Sequence, residues 1–278
     1  MPEIAYVNGK FLPLEQATVS VEDRGYQFAD AVYEVVRTYR GRPFGLDEHL
    51  ARLFRSLAAI QLEHHLDDGQ LKSLINEAIQ RGGFPETLVY IQISRGVAKR
   101  HRGVPDSYEP VFVMTVRELP DTRHIREHGI TIVTVPDNRW GRCDIKSVGL
   151  LPNVLAYQTA HQAGANDAVF VEADGTINEA TAANIFIIHR GRLLTPPEGP
   201  KILSGITRGN ILDAARAAGI PAAERRITRT ELLCADEAFL SSTTAEVVPI
   251  LSVDGQKIGT GSLSLRIYEQ FTKKFSSA

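Results

Sequence analysis

The sequence predicts an α+β protein in two subdomains. Three observations lead there. Segments with a two-residue apolar period and segments with a helical period both occur in each half of the chain. They do not alternate regularly as strand, helix, strand, so a doubly wound parallel sheet is not indicated. A polar stretch from Leu119-Pro120-Asp121 to Glu127 reads as a linker. The 278 residues then divide into a smaller N-terminal α/β subdomain (1–119), a linker (120–127) and a larger C-terminal subdomain (128–278).

In the first half, Ile4 to Val7 runs into Asn8-Gly9, a hairpin signal, and on to Phe11 and Leu12. A second strand is expected over Glu34 to Tyr39, closed by Arg40-Gly41-Arg42-Pro43. The period then changes. Leu50, Leu53, Phe54 and Leu57 recur at helical spacing behind Asp47, a suitable N-cap. A further helix is expected over Asp68 to Arg81, with Leu71, Leu74, Ile75, Ala78 and Ile79 on one face and Gly82-Gly83 to stop it. Strands return at Leu88 to Ser94 and Val111 to Arg117. In the second half, Ile130 to Val135 reads as a strand and Pro152 to Ala163 as a helix, with Pro in its first turn and Gly164 past its end. Ala168 to Glu172, the Asp174-Gly175 turn and Asn184 to His189 form a hairpin-like group. A helix over Gly205 to Ala218, strands over Glu237 to Leu240 and Glu246 to Val253, and an amphipathic helix over Leu263 to Phe275 complete the chain.

Composition excludes several functions. With 31 Lys+Arg against 33 Asp+Glu the net charge is −2, so no basic surplus points to nucleic acid. Cys143 and Cys234 are too few for a disulfide framework or a four-cysteine zinc site. The opening MPEIAYVNGK lacks a signal-peptide pattern and no apolar run nears membrane-spanning length, so a cytoplasmic protein without a membrane partner is expected. Phosphate-loop, dinucleotide, HExxH, CxxC and GxSxG motifs are absent. His64-His65 are adjacent, so their side chains point apart, as solvated residues rather than metal ligands.

What remains is a series of short polar islands in apolar context. They are Glu22 to Phe28, with Tyr33 on the strand beyond; Arg52; Arg100-His101-Arg102; Arg142 to Ser147; Glu179 leading to Asn184; Ser204 to Arg208; and the hydroxyl run Ser241 to Thr244. Each taken alone has an ordinary explanation. Lys146 can be a solvated lysine. Arg52 lies off the Leu50/Leu53/Phe54/Leu57 stripe and four residues after Glu48, as a solvated helix pair would. Ser204-Gly205-Ile206-Thr207 can be a helix cap, and 241–244 an ordinary turn.

Together, and in order, the islands resemble the class IV aminotransferases, pyridoxal 5′-phosphate (PLP) enzymes of fold type IV. Within that family the likeness is greatest to the bacterial D-amino acid transaminases. The segments that carry it are EDRGYQFADAVYEVV (22–36), DEHLARL (47–53), RWGRCDIKS (139–147), NEATAANIF (178–186), LSGITRG (203–209) and SSTTAEVVP (241–249). RCDIKS followed by LLPNVLA is the most specific of them.

The resemblance implies a role for each residue. Lys146 matches the Schiff-base lysine, whose amine must be neutral part of the time to condense with an aldehyde and then shuttles the substrate Cα proton. Glu179 matches the carboxylate that faces the pyridine nitrogen and keeps it protonated. Arg52 would hold the phosphate, which reverses the surface reading of that residue, together with the backbone N–H groups of Ile206 and Thr207 at a helix start and the hydroxyl of Thr243. Leu203 would pack on the ring face. Tyr33, Arg100, Arg102 and Thr244 are the implied substrate-binding residues, the arginine loop being lent by the neighbouring subunit of a homodimer. The family pattern there is Arg-x-His, whereas this chain reads Arg100-His101-Arg102; either two guanidinium groups take the substrate carboxylate, or His101 is the group that matters, or neither is. Ala182 and Ala183 also stand where the bacterial enzyme carries serines. The implied reaction is exchange of an amino group between a D-amino acid and a 2-oxo acid. Branched-chain or (R)-amine transamination, and an aminodeoxychorismate-type lyase reaction, are the alternatives on the same fold.

Overall fold

The computed structural model describes residues 3–276. The chain forms two compact units, Met1–Pro120 with Ile145–Gly149, and Asp121–Asp144 with Leu150–Ala278. Of the segment 120–127, expected as a linker, Pro120 clusters with the first unit and the rest, which carries most of a short helix, with the second; the pentapeptide around Lys146 clusters with the first.

The first unit contains β1 (Ile4–Val7), β2 (Lys10–Pro13), α1 (Arg24–Phe28), β3 (Ala31–Tyr39), β4 (Arg42–Pro43), α2 (Leu46–Ala59), α3 (Asp68–Gly82), β5 (Thr87–Ser94) and β6 (Val111–Glu118). Its six strands form an antiparallel sheet in the order β2-β1-β6-β5-β3-β4. The β1–β2 and β3–β4 hairpins close through two-residue turns, Asn8-Gly9 and Arg40-Gly41, with positive φ at both residues. That geometry matches the twist of the flanking strands. Along β3 the two-residue period puts Val32, Glu34, Val36 and Thr38 on one face, all fully buried, with Ile93, Ile91 and Val89 of β5 opposite the first three. That face packs on Leu50, Leu53 and Leu57 of α2 and Leu71, Ile75 and Ala78 of α3. Burying each leucine contributes about 2 kcal/mol.

The start of α2 departs from expectation. Its N-cap is Gly45, with φ +63°, and no side chain caps it. Asp47 lies in the first turn and pairs with Lys72 at 2.6 Å. The chain turns out of β4 through a left-handed residue, and glycine adopts that conformation without steric cost. α1, read from sequence only as a polar island, is capped by Asp23, whose carboxylate accepts from Gly25 N at 2.8 Å.

The second unit contains α4 (Arg123–His128), β7 (Ile130–Pro136), α5 (Leu151–Gln162), β8 (Asp167–Val171), β9 (Thr176–Ala180), β10 (Asn184–His189), β11 (Arg192–Thr195), α6 (Ile206–Ala217), β12 (Ala222–Glu224), β13 (Ile227–Thr228), α7 (Arg229–Leu233), β14 (Glu237–Ser242), β15 (Glu246–Val253), β16 (Gln256–Lys257) and α8 (Leu263–Ser276). Its mixed sheet runs β12-β11-β10-β14-β15-β7-β8-β9-β13, with β16 on β15. β7 and β8 pair in parallel with α5 between them in the chain, and β11 and β12 in parallel with α6 between them; β7 also pairs in parallel with β15, and the other pairs are antiparallel. The mixture agrees with the α+β expectation. Ile132, Val169, Ile177, Ile185, Ile187 and Val248 build the core on one sheet face. Arg190-Gly191 and Asp254-Gly255 close two more hairpins with the same positive-φ pair. Among the described residues no helix is long and apolar enough to cross a membrane.

Candidate active site

In the first unit, Lys146 is held by its backbone. Its carbonyl accepts from Tyr33 N at 2.9 Å, its N–H donates to Ser56 Oγ at 3.3 Å, and Ser147 bridges to Val32. These bonds fasten an irregular segment to the edge of β3 and aim the half-buried side chain. Lys146 Nζ lies 4.2 Å from the centroid of the Tyr33 ring, whose other neighbour is Tyr90, stacked at 5.5 Å. The sequence-predicted pair Lys146 and Tyr33 is therefore in direct contact.

Arg52 is buried, although its position off the apolar stripe reads as solvated. Its Nε and Nη2 donate to Glu34 Oε1 and Oε2 at 2.6 and 2.9 Å, and His49 Nδ1 lies 2.8 Å from Glu34 Oε2. Burial by itself raises the Glu34 carboxyl, but hydrogen bonds and charge from Arg52 and His49 outweigh it and hold the group at about 2. The same burial lowers His49 in spite of the carboxylate beside it, and the Arg52 charge adds to that. The arginine is thus a fixed cation on a fixed anion beside a neutral imidazole. Sequence reading missed Glu34 and His49, yet both had a signal. Glu34 shares the alternating face of Val32 and Val36, and His49 stands three residues before Arg52 on one helix.

The loop between β5 and β6 carries Arg100, His101 and Arg102, all exposed. The Arg100 guanidinium sits 4.6 Å from the Phe28 ring centroid and donates to Gln27 O at 3.4 Å. His101 Nδ1 accepts from Gly103 N at 3.1 Å, which keeps that ring on its own loop. Arg102 has no hydrogen bond or ion pair among the described residues.

In the second unit, Glu179 is buried at the end of β9 and surrounded by donors. Arg139 Nη1 donates to its Oε1 at 2.5 Å, and Asn184 Nδ2 and Leu203 N to its Oε2 at 3.2 and 3.1 Å. A carboxylate facing three donors is matched in its ionised, acceptor-only form. Arg139 is itself fixed by Asp137, at 3.0 and 2.8 Å, and by Lys201 O at 2.8 Å, with its guanidinium 4.3 Å from the Phe170 ring centroid. Asn178 Nδ2 completes the set on Asp137 at 2.7 Å. Burial works against the charge on Asp137, but Arg139 keeps the carboxyl below its ordinary value. Arg139 lies inside the RWGRCDIKS segment, but its role became visible only with these contacts.

Leu203, whose backbone meets Glu179, leads into the start of α6. Gly205 is the N-cap, and no side chain caps the helix, so the first N–H groups, those of Ile206 and Thr207, have no side-chain acceptor there. A Cβ on Gly205 would lie 2.0 Å from Asn184 Oδ1, so a glycine is needed where the chain passes the asparagine. Thr243 and Thr244 form the β14–β15 turn, half-buried; Ser242 Oγ accepts from Ala245 N at 3.1 Å, and Thr122 Oγ1 donates to Thr244 O at 3.4 Å. Beside them the buried Ser241 Oγ, opposite Asn184 in the β10–β14 pairing, has no hydrogen-bond partner. Among the described residues no group of His, Cys, Asp and Glu could hold a metal ion.

Known proteins resemble this chain over most of its length. The amino-transferase class IV family matches residues 31–253. The chain is 38% identical over 255 residues to the D-alanine aminotransferase of Bacillus licheniformis, covering 92% of this chain and 90% of that one. It is 39% identical over 278 residues to the D-alanine aminotransferase of Listeria monocytogenes serotype 1/2a (strain 10403S), covering 98% and 96%. Among solved structures, the branched-chain aminotransferase of Thermoproteus uzoniensis superposes with a TM-score of 0.90 at 27% identity, over 99% of this chain and 95% of that one. The branched-chain enzyme of Escherichia coli gives 0.88 at 26%, over 99% and 95%.

Proposed function

Because this chain belongs to the class IV aminotransferases, we propose that it is a PLP-dependent transaminase exchanging the amino group between a D-amino acid, D-alanine first among them, and a 2-oxo acid such as pyruvate or 2-oxoglutarate. The observation that carries the choice of substrate is the 38–39% identity to D-alanine aminotransferases across 92–98% of the chain. The TM-scores near 0.9 with branched-chain enzymes describe a shared fold, which hosts both activities.

The residues present fit PLP. An uncapped helix start suits a phosphate dianion, the partnerless buried hydroxyl of Ser241 suits a polar ligand, and a carboxylate in a nest of donors suits a protonated ring nitrogen. Lys146 is the residue that would hold PLP by its aldehyde, Glu179 the one for the ring nitrogen, and Ile206, Thr207, Thr243 and Arg52 those for the phosphate, with Leu203 against the ring. When bound, PLP supplies an electron-withdrawing ring that stabilises negative charge at the substrate Cα. The Lys146 amine would be the group that moves a proton at the substrate Cα, with the Tyr33 ring 4.2 Å from Nζ limiting where it can swing. Arg139 holds Glu179 in place through its hydrogen bond to Oε1. Arg100 and Arg102 receive the substrate carboxylate, and Thr244 lies in the turn that joins them in substrate binding.

A cytoplasmic homodimer completes the reading. α5 buries only small residues, Ala156 and Ala160, while Leu151, Val154, Leu155 and Tyr157 are each more than half exposed. A helix with its large apolar groups outward supports cover by a second copy. The deciding assay incubates the PLP-loaded protein with D-alanine and 2-oxoglutarate, and in parallel with L-leucine and 2-oxoglutarate, resolving the glutamate formed by chirality. D-Glutamate from the first mixture is expected. L-Glutamate from the second alone would transfer the protein to the branched-chain alternative.

A further inference from the structure

The loop that carries Arg100 and Arg102 has no regular secondary structure between β5 and β6, yet it is tied down at three levels. At its base, Gly96 passes the returning chain just before β6 so closely that a Cβ would lie 1.9 Å from Glu109 O. Next, the chain pairs with the segment before α1: Arg24 N donates to Gly96 O at 2.9 Å, Ala98 N to Glu22 O at 3.2 Å, and Asp23 bridges to Val97. At its crest, the buried side chain of Arg24 donates through Nη1 to His101 O at 2.7 Å and to Gly103 O at 3.2 Å. These two carbonyls flank Arg102.

The seat of Arg24 is built for the purpose. Its Nε donates to Asp30 Oδ2 at 2.8 Å, and the same carboxylate takes Arg95 Nε and Nη2 at 2.8 and 3.0 Å. Two buried guanidinium groups thus share one carboxylate, and the surplus donors are used on backbone carbonyls: those of Ile60 and Gln61 for Arg95, those of the loop crest for Arg24. Phe28 lies between the Arg24 guanidinium, at 5.1 Å from the ring centroid, and that of Arg100, at 4.6 Å. A planar fork is needed here. It reaches a carboxylate with one edge and two carbonyls with the other, which the point charge of lysine cannot do with the same directions.

We infer that Arg24 is the positioning residue of the Arg100–Arg102 loop: from its seat on Asp30 it clamps the carbonyls on either side of Arg102 and so sets where the exposed guanidinium groups meet a substrate carboxylate. The inference rests on the reading of Arg100 and Arg102 as carboxylate-binding residues. A group that grips the carboxylate equally in the ground and transition states affects KM and leaves kcat alone. Arg24 therefore controls substrate affinity, and selectivity for a second acidic group, without touching the substrate.

The test uses the PLP-loaded protein with Arg24→Met, and Arg24→Lys as the variant that keeps the charge on Asp30. Two quantities are read: amide hydrogen exchange over residues 99–104, and KM and kcat for D-alanine. Arg24→Met is expected to speed exchange in the loop by about tenfold or more and to raise KM by a similar factor, with kcat within about twofold and β3 and β5 protected as before; Arg24→Lys falls between. Unchanged loop exchange in folded Arg24→Met overturns the inference. So does faster exchange with an unchanged KM, provided Arg102→Ala does raise KM. If Arg100→Ala and Arg102→Ala both leave KM where it was, the carboxylate reading itself falls and the inference falls with it. Should Arg24→Met not fold, Arg24→Lys carries the same comparison.

Discussion

Replacing Glu34 by Gln removes one charge from the centre of the first unit and leaves nearly every atom in place. The carboxylate is fully buried and accepts from Arg52 twice and from Val35 N at 3.3 Å, with His49 Nδ1 2.8 Å away. The carboxyl titrates at 4.5 in a free chain and is held at about 2 in the fold. Its folded value is depressed, so the stabilisation is present above 4.5 and is lost as pH falls through about 2. At neutral pH that difference is worth about 3 kcal/mol, and because both groups are buried no solvent screening reduces it. Gln imitates the protonated acid at every pH. Glu34→Gln is therefore expected to lose about 3 kcal/mol at pH 7, a fall in Tm of roughly 10 °C for a chain of this size. The gap should shrink to about 1 kcal/mol near pH 3. Urea unfolding of both proteins at pH 7, 5, 4 and 3 measures it. A gap below about 1 kcal/mol at pH 7, or one that widens on acidification, would refute the charge argument. PLP affinity, read by titration of the visible band, should weaken in the same variant, because Arg52 loses the anion that aims it.

Three other outcomes follow from the geometry. Lys146→Ala should abolish the yellow colour of the PLP-loaded protein and lower kcat by about a thousandfold or more, while its far-ultraviolet dichroism stays unchanged. Arg139→Met leaves Asp137 and Glu179 buried without their shared cation, at a cost of roughly 3–5 kcal/mol at neutral pH, so thermal scans across pH should show a large drop in Tm at pH 7 that narrows as acid protonates the carboxyls. Cys143 is held at about 11 by burial, against the pull of Arg139, whereas Cys234 is exposed. A thiol reagent at pH 8 should therefore titrate one fast sulfur, absent in Cys234→Ser, and a second only on unfolding.

Much of the fold was legible locally. The Asn8-Gly9 and Arg40-Gly41 turns, the alternation along β3, and the apolar spacing of α3 and α8 each act within a few residues, so short-range patterns report them. α1, α4 and α7 were not legible, because helices of five or six residues have too little periodicity to register and depend on their caps, Asp23 for α1 and the Thr228 capping box for α7. On α2 the apolar stripe was correct but too narrow: His49, Arg52 and Ser56 are buried beside Leu50, Leu53 and Leu57, since their polar arc faces Glu34 and the Lys146 backbone instead of water. On α5 the usual rule is inverted, with alanines inward and leucines outward, so periodicity alone could not say which side is core.

The sequence by itself determined the chemistry: a lysine in an RCDIKS context, a glutamate before TAAN and an SGIT helix start are local signatures, and the residues around them resemble one family throughout. Only the tertiary structure decided which groups hold the side chains and loops of the site in place. Glu34 on Arg52, Arg139 on Glu179 and Arg24 on the carbonyls flanking Arg102 join positions 18, 40 and about 77–79 residues apart. The physical reason is that a charge is tuned by what lies within a few ångströms of it after burial, and burial brings together segments whose separation along the chain carries no periodic trace.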